Sequence, residues 1–383
     1  MRFPEFSGEW EKVLLSSACE INPKTGPLDN QFLYIDLESV VKGSLVKRQI
    51  IEKDGAPSRA QRVLKENDIL YQCVRPYQLN NYIFEGDTIQ CVASTGYAQL
   101  RTTQFPLYIF QALHTKQFTN QVLERCTGTN YPAINSSDLG TVEVPICSLP
   151  EQVKIGSLLA LIDSRIKTQS KIIEELTALR SALHQGIMST GLEDGSWRMQ
   201  TLAEVLSERT ELNNEGHAVH SVSVSKGIVN QIEYLGRSFA AKDTSRYHVA
   251  YPGDVVYTKS PTGEFPYGIV KQSQIPIKAA LSPLYGVYVP ITQEIGYIIH
   301  NHFLSAKNAL NYLHPLIQKG AKNTINITNQ RFLQNSMPLP SSNSVARLYF
   351  KTIKTLSDKI ELEISILHQL QIQKRKLLND MFI

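Results

Sequence analysis

The fold is decided by residues 155–187, whose sequence is IGSLLALIDSRIKTQSKIIEELTALRSALHQGI. Apolar residues recur in this stretch at alternating steps of four and three, as on the buried face of a long coiled-coil helix. A second stretch, residues 349–381, reads YFKTIKTLSDKIELEISILHQLQIQKRKLLNDM and repeats the pattern 194 positions later. The sequence therefore predicts two long helices, each with one apolar seam.

The two stretches share polar interruptions as well as a period. Gln169 corresponds to Glu363, and Arg180 corresponds to Lys374, when 194 is added to the residue number. Unrelated amphipathic helices share a period easily, but they have no reason to share defects. We therefore predict a duplicated helix whose seam consists of Leu159, Ile162, Ile166, Ile173, Leu176, Leu183, Ile353, Leu356, Ile360, Leu367, Leu370 and Leu377.

The segments ahead of the two helices correspond more loosely. The only two tryptophans, Trp10 and Trp197, each follow a glycine-containing turn, and residues 66–71 (ENDILY) resemble residues 252–257 (PGDVVY). Short β-rich stretches dominate both segments, with helical pieces at residues 108–126 and 297–318. The predicted fold class is α+β with an internal pseudo-two-fold repeat: mixed domains at residues 1–147 and 191–340 alternate with helices at 148–190 and 341–383, which pack as an antiparallel coiled coil. The first helix is expected to end at Gly191, because glycine is a frequent helix C-cap.

Composition excludes several classes of protein. The chain carries 39 Lys and Arg residues against 35 Asp and Glu residues, a net charge of +4, so charge alone does not indicate a nucleic-acid partner. No apolar run approaches the roughly 20 residues of a membrane span, and the N-terminus lacks the features of a signal peptide. Five cysteines without close pairs argue against disulfides and zinc sites. We expect a soluble cytoplasmic protein without a metal ion or cofactor.

The common catalytic motifs are absent from the sequence. It contains no glycine-rich dinucleotide turn, no phosphate loop and no His-Glu-x-x-His pair. The loop with which amino-methyltransferases grip the target amine has only an incomplete counterpart in residues 282–285 (SPLY). The sequence therefore predicts a protein that is not an enzyme.

Several blocks of the chain resemble one family. They are residues 93–98 (ASTGYA), 131–139 (YPAINSSDL), 183–188 (LHQGIM), 254–260 (DVVYTKS), 280–285 (ALSPLY) and 377–382 (LLNDMF). In order, spacing and duplication they resemble the specificity subunits of type I restriction–modification systems. The resemblance implies two target-recognition domains, each reading half of a bipartite site on double-stranded DNA. It also implies two modification subunits that methylate adenine and restriction subunits that cleave.

Polar loops after strands, and turns rich in Arg, Lys, Asn, Gln, Ser or Thr, are the expected DNA-contacting positions, because these side chains bind base edges and phosphates. In the first domain the predicted residues are Lys47, Arg48, Arg59, Arg62, Arg75, Tyr77, Gln78, Asn80, Asn81, Thr127, Asn130 and Tyr131. In the second domain they are Ser223, Ser225, Lys226, Lys259, Ser260, Thr262, Lys319, Lys322 and Asn323.

Two other interpretations remain open from the residues alone. In the first, the chain is a protein–protein scaffold with two globules on a coiled coil. The mild net charge slightly favours this interpretation. The other is a self-contained methyltransferase or nuclease, which the missing motifs disfavour.

The polar faces of the helices and residues 191–195 are the expected docking surface for modification subunits.

Overall fold

The computed structural model describes residues 2–237, 243–319 and 325–382. The chain divides into two compact units, one formed by Met1–Lys171 with Ile364–Ile383 and the other by Ile172–Glu363. Each unit contains one α+β globule together with a segment of each long helix.

The first unit begins with a mainly β region. Its strands are β1 (Glu11–Leu14), β2 (Cys19–Ile21), β3 (Gln31–Ile35), β4 (Val40–Val41), β5 (Ser44–Leu45), β6 (Gln49–Glu52), β7 (Ala60–Val63), β8 (Ile69–Gln72), β9 (Tyr82–Ile83), β10 (Cys91–Ser94), β11 (Tyr97–Thr102) and β12 (Glu143–Ile146). Its helices are α1 (Leu15–Ala18), α2 (Pro106–Ala112), α3 (Lys116–Arg125), α4 (Ser136–Gly140) and the first part of α5 (Leu149–Asp194).

The second unit has the same kinds of element. Its strands are β13 (Trp197–Thr201), β14 (Leu206–Glu208), β15 (His220–Ser223), β16 (Gly227–Asn230), β17 (His248–Ala250), β18 (Val255–Tyr257), β19 (Val270–Gln272), β20 (Ala279–Leu281), β21 (Gly286–Pro290), β22 (Gln318–Lys319), β23 (Ile325–Asn326) and β24 (Ser336–Pro340). Its helices are α6 (Gln231–Leu235), α7 (Gln293–His302), α8 (Ala306–Leu313), α9 (Asn329–Gln334) and the first part of α10 (Asn343–Met381).

The sheets repeat one topology in the two units. The first unit has a sheet in the order β2-β11-β8-β9, and the second has one in the order β14-β21-β18-β19. Each unit also closes with an antiparallel ribbon that leads into a long helix, β1 with β12 and β13 with β24. The first unit adds a sheet in the order β6-β3-β10-β7, in which β3 and β10 run parallel.

The turn that precedes β8 recurs before β18. In the first unit the backbone N–H of Lys65 donates to a carboxylate oxygen of Asp68 at 2.7 Å, and in the second Tyr251 donates to Asp254 at 2.8 Å. Both carboxylates are buried, with 1% and 2% of their surface exposed. A buried carboxylate needs a charged partner. Arginine supplies it in both units, although from positions that do not correspond in the two sheets.

The two arginines bind these carboxylates with paired hydrogen bonds. Arg101, on β11, donates to Asp68 at 2.8 and 2.7 Å. Arg209, directly after β14, donates to Asp254 at 2.7 and 3.0 Å. Each arginine thereby links a neighbouring part of the sheet to the turn that precedes β8 or β18. These are the two strands that lead into predicted DNA-contacting loops.

Helix α5 continues beyond Gly191, so the predicted end of the helix at this residue is wrong. A Cβ atom at position 191 would lie 2.1 Å from Cδ1 of Trp197, so this glycine is required by packing rather than by capping. The helix extends to Asp194, and Gly195 follows with a φ of +77°, which glycine adopts without strain. Most of the expected loop 191–195 is therefore helix.

Two other predicted helical pieces are divided. Residues 108–126 contain most of α2 and all of α3, because Thr115 caps a new helix by accepting a hydrogen bond from the N–H of Phe118. Residues 297–318 contain the end of α7 and all of α8, where Ser305 caps in the same way. The sequence predicted that both ranges are helical, but it did not predict the break between two helices within each range.

The predicted seam residues are largely shielded from solvent. Leu159, Ile353 and Ile360 are buried, and all the others except Leu183 are half-buried. In the second unit the helices run antiparallel, since His184 contacts the hydroxyl of Tyr349 at 2.6 Å while the earlier residue Arg180 contacts the later Ser357.

The cysteines form no disulfide, and each is buried except Cys126, which is half-buried. Burial raises the pKa of the Cys73 thiol to about 11, so it behaves as a small apolar side chain. Within residues 2–237, 243–319 and 325–382, no helix is both long and apolar enough to cross a membrane.

Candidate nucleic-acid interface

In the first unit, two predicted DNA-contacting segments lie against each other. Residue Val74 forms an isolated β-bridge with Ala133, and the backbone N–H of Arg75 donates to the carbonyl of Pro132 at 2.8 Å. The guanidinium carbon of Arg75 lies 4.3 Å from the centre of the Tyr131 ring. The structure thus joins the loop after β8 to the turn at residues 127–131.

The loop after β8 has a fixed backbone. Arg75 and Leu79 both adopt a left-handed conformation with φ of +54°, on either side of a 3-10 turn at Pro76–Gln78. Gln72, which is buried, donates to Oε1 of Gln78 at 2.9 Å and accepts from the N–H of Asn80 at 3.2 Å. Non-glycine residues with positive φ persist where the surrounding contacts hold them. This loop is therefore a shaped surface rather than a solvated connection.

The outer surface of the joined segments is aromatic and polar. Tyr77 is 51% exposed and Tyr131 is 64% exposed. Thr127 and Asn130 are also exposed, and Arg75 is half-buried beneath the Tyr131 ring. Arginine stacked on an aromatic ring keeps hydrogen-bond donors free at its edge, which suits contact with base edges or phosphates.

Two of the predicted amides serve the loop itself. Asn81 is 1% exposed, and its Oδ1 accepts from the N–H of Gln72 at 2.9 Å. Asn80 accepts through Oδ1 from the N–H of Lys42 at 3.0 Å. Because burial shields Asn81 from any ligand, we correct its assignment from DNA contact to support of the loop.

Two of the four cations predicted around residues 47–62 already have acidic partners. Lys47 lies 3.9 Å from Asp36, and Arg48 lies 2.6 Å from Asp87. The hydrogen bond from Arg48 holds the pKa of the Asp87 carboxyl below its usual range. A phosphate that bound Arg48 would have to displace this carboxylate.

The other two cations have no acidic partner among the described residues. Arg59 is exposed directly before β7. Arg62, on β7, is half-buried, its Nε has no hydrogen-bond partner, and burial lowers the pKa of its guanidinium. A buried cation without a partner is costly, which makes Arg62 a stronger candidate for an anionic ligand than Lys47 or Arg48.

In the second unit, the loop after β18 also contains a left-handed cationic residue. Lys259 has a φ of +61° and is half-buried, and burial lowers the pKa of its ammonium. Ser260 and Thr262 follow on the exposed part of the loop. Lys319 lies on β22, whereas Lys322 and Asn323 fall outside the described residues.

The third predicted group lies at the tip of the hairpin formed by β15 and β16. Ser223 is within 3.4 Å of the Ser225 hydroxyl and 3.3 Å of the Tyr234 hydroxyl. The ammonium of Lys226 lies 5.2 Å from the centre of the Tyr234 ring. Sequence reasoning did not identify Tyr234, which has no local signal. The same is true of Gln72, whose only signal is its position at the end of a strand.

An apolar groove of about 810 Å³ opens on the long helices within the second unit. It is lined by Leu179, Ala182, Leu183, Gly186, Ile187, Thr190, Gly191, Asp194, Ser196, Trp197, Val345, Leu348, Tyr349 and Thr352. Leu348 is 68% exposed and Leu179 is 48% exposed. The expected docking surface on the helices was polar, so the apolar groove differs from that expectation.

The corresponding place in the first unit is covered by the N-terminal segment. The two long helices repeat at an offset of 194 residues, so Val345 corresponds to Glu151 and Leu348 corresponds to Lys154. Glu151 accepts two hydrogen bonds from Arg2, at 2.7 and 2.8 Å. Lys154 forms an ion pair with Glu5 and lies 4.5 Å from the centre of the Phe3 ring.

Comparisons with known proteins show what this chain is similar to. Residues 7–178 match the family model of the type I restriction modification DNA specificity domain. This part of the chain is therefore similar to that family, and the predicted resemblance to type I specificity subunits is confirmed.

Individual relatives agree with this family. The HindI type I restriction enzyme specificity subunit of Haemophilus influenzae is 24% identical over 162 residues, which are 41% of this chain and 32% of that protein. The chain thus matches about a third of the length of this curated relative.

Solved structures match over nearly the whole chain. The specificity subunit of an M. genitalium type I system superposes with a TM-score of 0.62 and 14% identity, covering 98% of this chain and 96% of that one. A second solved structure concerns the complex assembly and conformational transition of a type I R-M system. Its matching chain gives a TM-score of 0.50 and 19% identity, with 96% of both chains covered. The predicted fold class is confirmed.

Proposed function

We propose that this chain is the specificity subunit of a type I restriction–modification complex. Each α+β globule reads one half of a bipartite target on double-stranded DNA. The chain has no catalytic role of its own: two modification subunits methylate adenine, and restriction subunits cleave. The observation that carries the proposal is the duplicated topology, in which equivalent strands β8 and β18 each lead into a loop with a left-handed cationic residue.

The chemistry of these loops supports DNA as the ligand. The exposed surface of Arg75, Tyr77 and Tyr131 combines a stacked guanidinium with hydroxyl groups. Arg62 and Lys259 add half-buried cations that lack acidic partners among the described residues. Specific recognition needs donors for base edges together with cations for phosphates, and both are present here.

The apolar groove on the helices supports the proposed assembly with a modification subunit. A soluble protein rarely leaves a large apolar surface uncovered unless a partner covers it. In the first unit an aromatic chain segment from the N-terminus lies over the corresponding positions. A modification subunit that inserts an apolar segment would cover the groove of the second unit in the same way.

The function is tested by mapping methylated adenines across the genome with and without this gene. We expect one bipartite methylated motif to disappear when the gene is deleted and to return when it is restored. If deletion removes no motif, the chain does not direct methylation, and the scaffold interpretation replaces the proposal.

Replacing Arg75 by alanine is expected to weaken binding of the assembled complex to its cognate duplex by about 1–3 kcal/mol, the range for a side chain that reads a base. The reason is that Arg75 is held against Tyr131 in a shaped loop. Lys259→Ala should have an effect of similar size through the second domain. The measurement is a fluorescence-anisotropy titration at several salt concentrations.

Lys12→Ala is the matched control, because it removes one exposed positive charge on β1, outside the predicted loops. It should leave affinity unchanged. Unchanged affinity and salt dependence in both loop variants would remove these loops from the interface.

A further inference from the structure

Arg180 interrupts the apolar seam of α5 without an acidic partner. It is half-buried, and its Nη1 donates to the Ser357 hydroxyl at 3.4 Å. The hydroxyl of Tyr297 donates to the same oxygen at 2.8 Å. No carboxylate in the described parts of the chain lies within ion-pair distance of Arg180. Two donors therefore converge on a serine that carries no charge.

A second cation nearby is also unpaired. Lys271, on β19, is 4% exposed, and its side-chain ammonium forms no hydrogen bond or ion pair with any described residue. Burial, together with the positive charge of Arg180, lowers the pKa of its ammonium to about 8. At neutral pH the lysine is still mostly protonated, so two like charges share this part of the unit.

His300 lies beside Tyr297, the tyrosine that donates to Ser357, with the two ring centres 6.1 Å apart. The backbone N–H of Gln272 donates to its Nδ1 at 3.2 Å, which leaves Nε2 as the protonated nitrogen of the neutral ring. Burial first, and then the charges of Lys271 and Arg180, lower its pKa to about 3. The ring therefore offers a neutral N–H donor next to two positive charges.

The first unit shows what the second unit lacks. Lys374 is the counterpart of Arg180, and Asp163 is the counterpart of Ser357, when positions 194 apart are compared. Lys374 forms an ion pair with Asp163 at 2.5 Å, and Gln111 donates to the same carboxylate at 2.8 Å. The cation of the first unit is neutralised internally, whereas serine replaces the carboxylate in the second unit.

Other acidic groups on α10 do not supply the missing charge. Asp358, next to Ser357, is engaged by Lys354. Burial lowers the pKa of the Arg180 guanidinium, and Glu361, the last in order of the groups that oppose this shift, forms no ion pair with Arg180. The second unit therefore has a net positive polar cluster at the position of a neutral ion pair in the first.

We propose that Arg180, Lys271, Tyr297, Ser357 and His300 form a binding site for a phosphate-type oxyanion. Two cations match the charge of about −1.5 to −2 on a phosphate group near neutral pH, whereas a carboxylate would neutralise only one of them. The guanidinium, the hydroxyl groups and the imidazole N–H supply donors for several oxygens. The oxyanion replaces the carboxylate of the first unit. This site lies outside the predicted DNA-contacting loops and does not depend on the proposed function.

The site is tested by thermal unfolding of the full chain in sodium chloride and in inorganic phosphate at equal ionic strength. Phosphate at tens of millimolar should raise the Tm of the wild-type protein by about 2 °C, since a ligand that binds the folded state stabilises it. Ser357→Asp should remove the phosphate effect and raise the Tm in chloride, because it recreates the ion pair of the first unit. Arg180→Gln should also remove the phosphate effect, which gives a second variant if the first folds poorly.

Arg165→Gln is the matched control, an exposed arginine on the same helix that should retain the full phosphate effect. A second experiment separates free phosphate from a phosphate of the DNA backbone. Duplex binding by the assembled complex is measured against salt for the wild type and for Arg180→Gln. A slope of log affinity against log salt that falls by about one assigns the oxyanion to DNA. An unchanged slope together with the Tm rise assigns it to a free ion.

The proposal is overturned if phosphate does not stabilise the wild type and the salt slope is unchanged. It is also overturned if Ser357→Asp and Arg180→Gln keep the wild-type phosphate effect. Neither result would affect the proposed specificity function, which is tested by the loss of a methylated motif.

Discussion

Replacement of Gly191 by alanine should destabilise the second unit by about 1–3 kcal/mol or more, the range for overpacking a well-packed core. The added Cβ would lie 2.1 Å from Cδ1 and 2.6 Å from Cγ of Trp197. Trp197 is 2% exposed and contacts Tyr349 edge-on at 5.4 Å. It also belongs to β13, which is paired along its length with β24. Neither the ring nor the helix can therefore withdraw without breaking other contacts.

Gly186→Ala in the same helix is the matched control. No atom lies within 4 Å of a Cβ built at Gly186, so alanine meets no obstacle there. Alanine is favoured over glycine inside a helix by about 0.5–1 kcal/mol, so this variant should be slightly more stable than the wild type. Urea unfolding followed by circular dichroism measures both variants. Equal stabilities for the two would contradict the packing of Trp197 against Gly191.

This pair of glycines shows how far the sequence predicts the fold. The heptad period, the shared interruptions and the turns at residues 66–71 and 252–257 predicted the helices and the duplicated strands. Those patterns are local in the sequence or occur twice in it, so they can be recognised without knowledge of contacts between distant residues. The end of α5 was mispredicted because the role of Gly191 depends on a tryptophan that arrives from the next strand. A contact made in three dimensions overrides the local preference of glycine for a helix end.

The candidate interface was predicted in part for the same reason. The polar loop after β8 could be identified from its composition, and Arg75, Tyr77 and Tyr131 remain predicted contact residues. Nothing in the sequence distinguishes Asn80 from the buried Asn81, since only the position of Gln72 decides which amide faces inward. The contact between the loops at residues 75–81 and 127–131 depends on long-range bridges, which no local pattern encodes.

Extending both long helices by four residues should lengthen the unspecified spacer of the methylated motif by one or two base pairs. The insertions belong near Gln169 and Glu363, which lie close to the division between the two units at Lys171 and Glu363. Four residues add about 6 Å of helix, or roughly 2 base pairs at about 3.4 Å each. The loops that contact DNA in our proposal are unchanged, so the bases of each half-site should stay the same.

A two-residue insertion at the same positions is the control for the effect of length alone. It rotates the following residues by about 200° at 3.6 residues per turn and so disrupts the seam. We expect that variant to lose stability and to lose the methylated motif, whereas four residues nearly preserve the helical phase. Genome-wide mapping of methylated adenines compares the three proteins. If the four-residue variant methylates with the original spacer, the long helices do not set the distance between half-sites, and the modification subunits must do so instead.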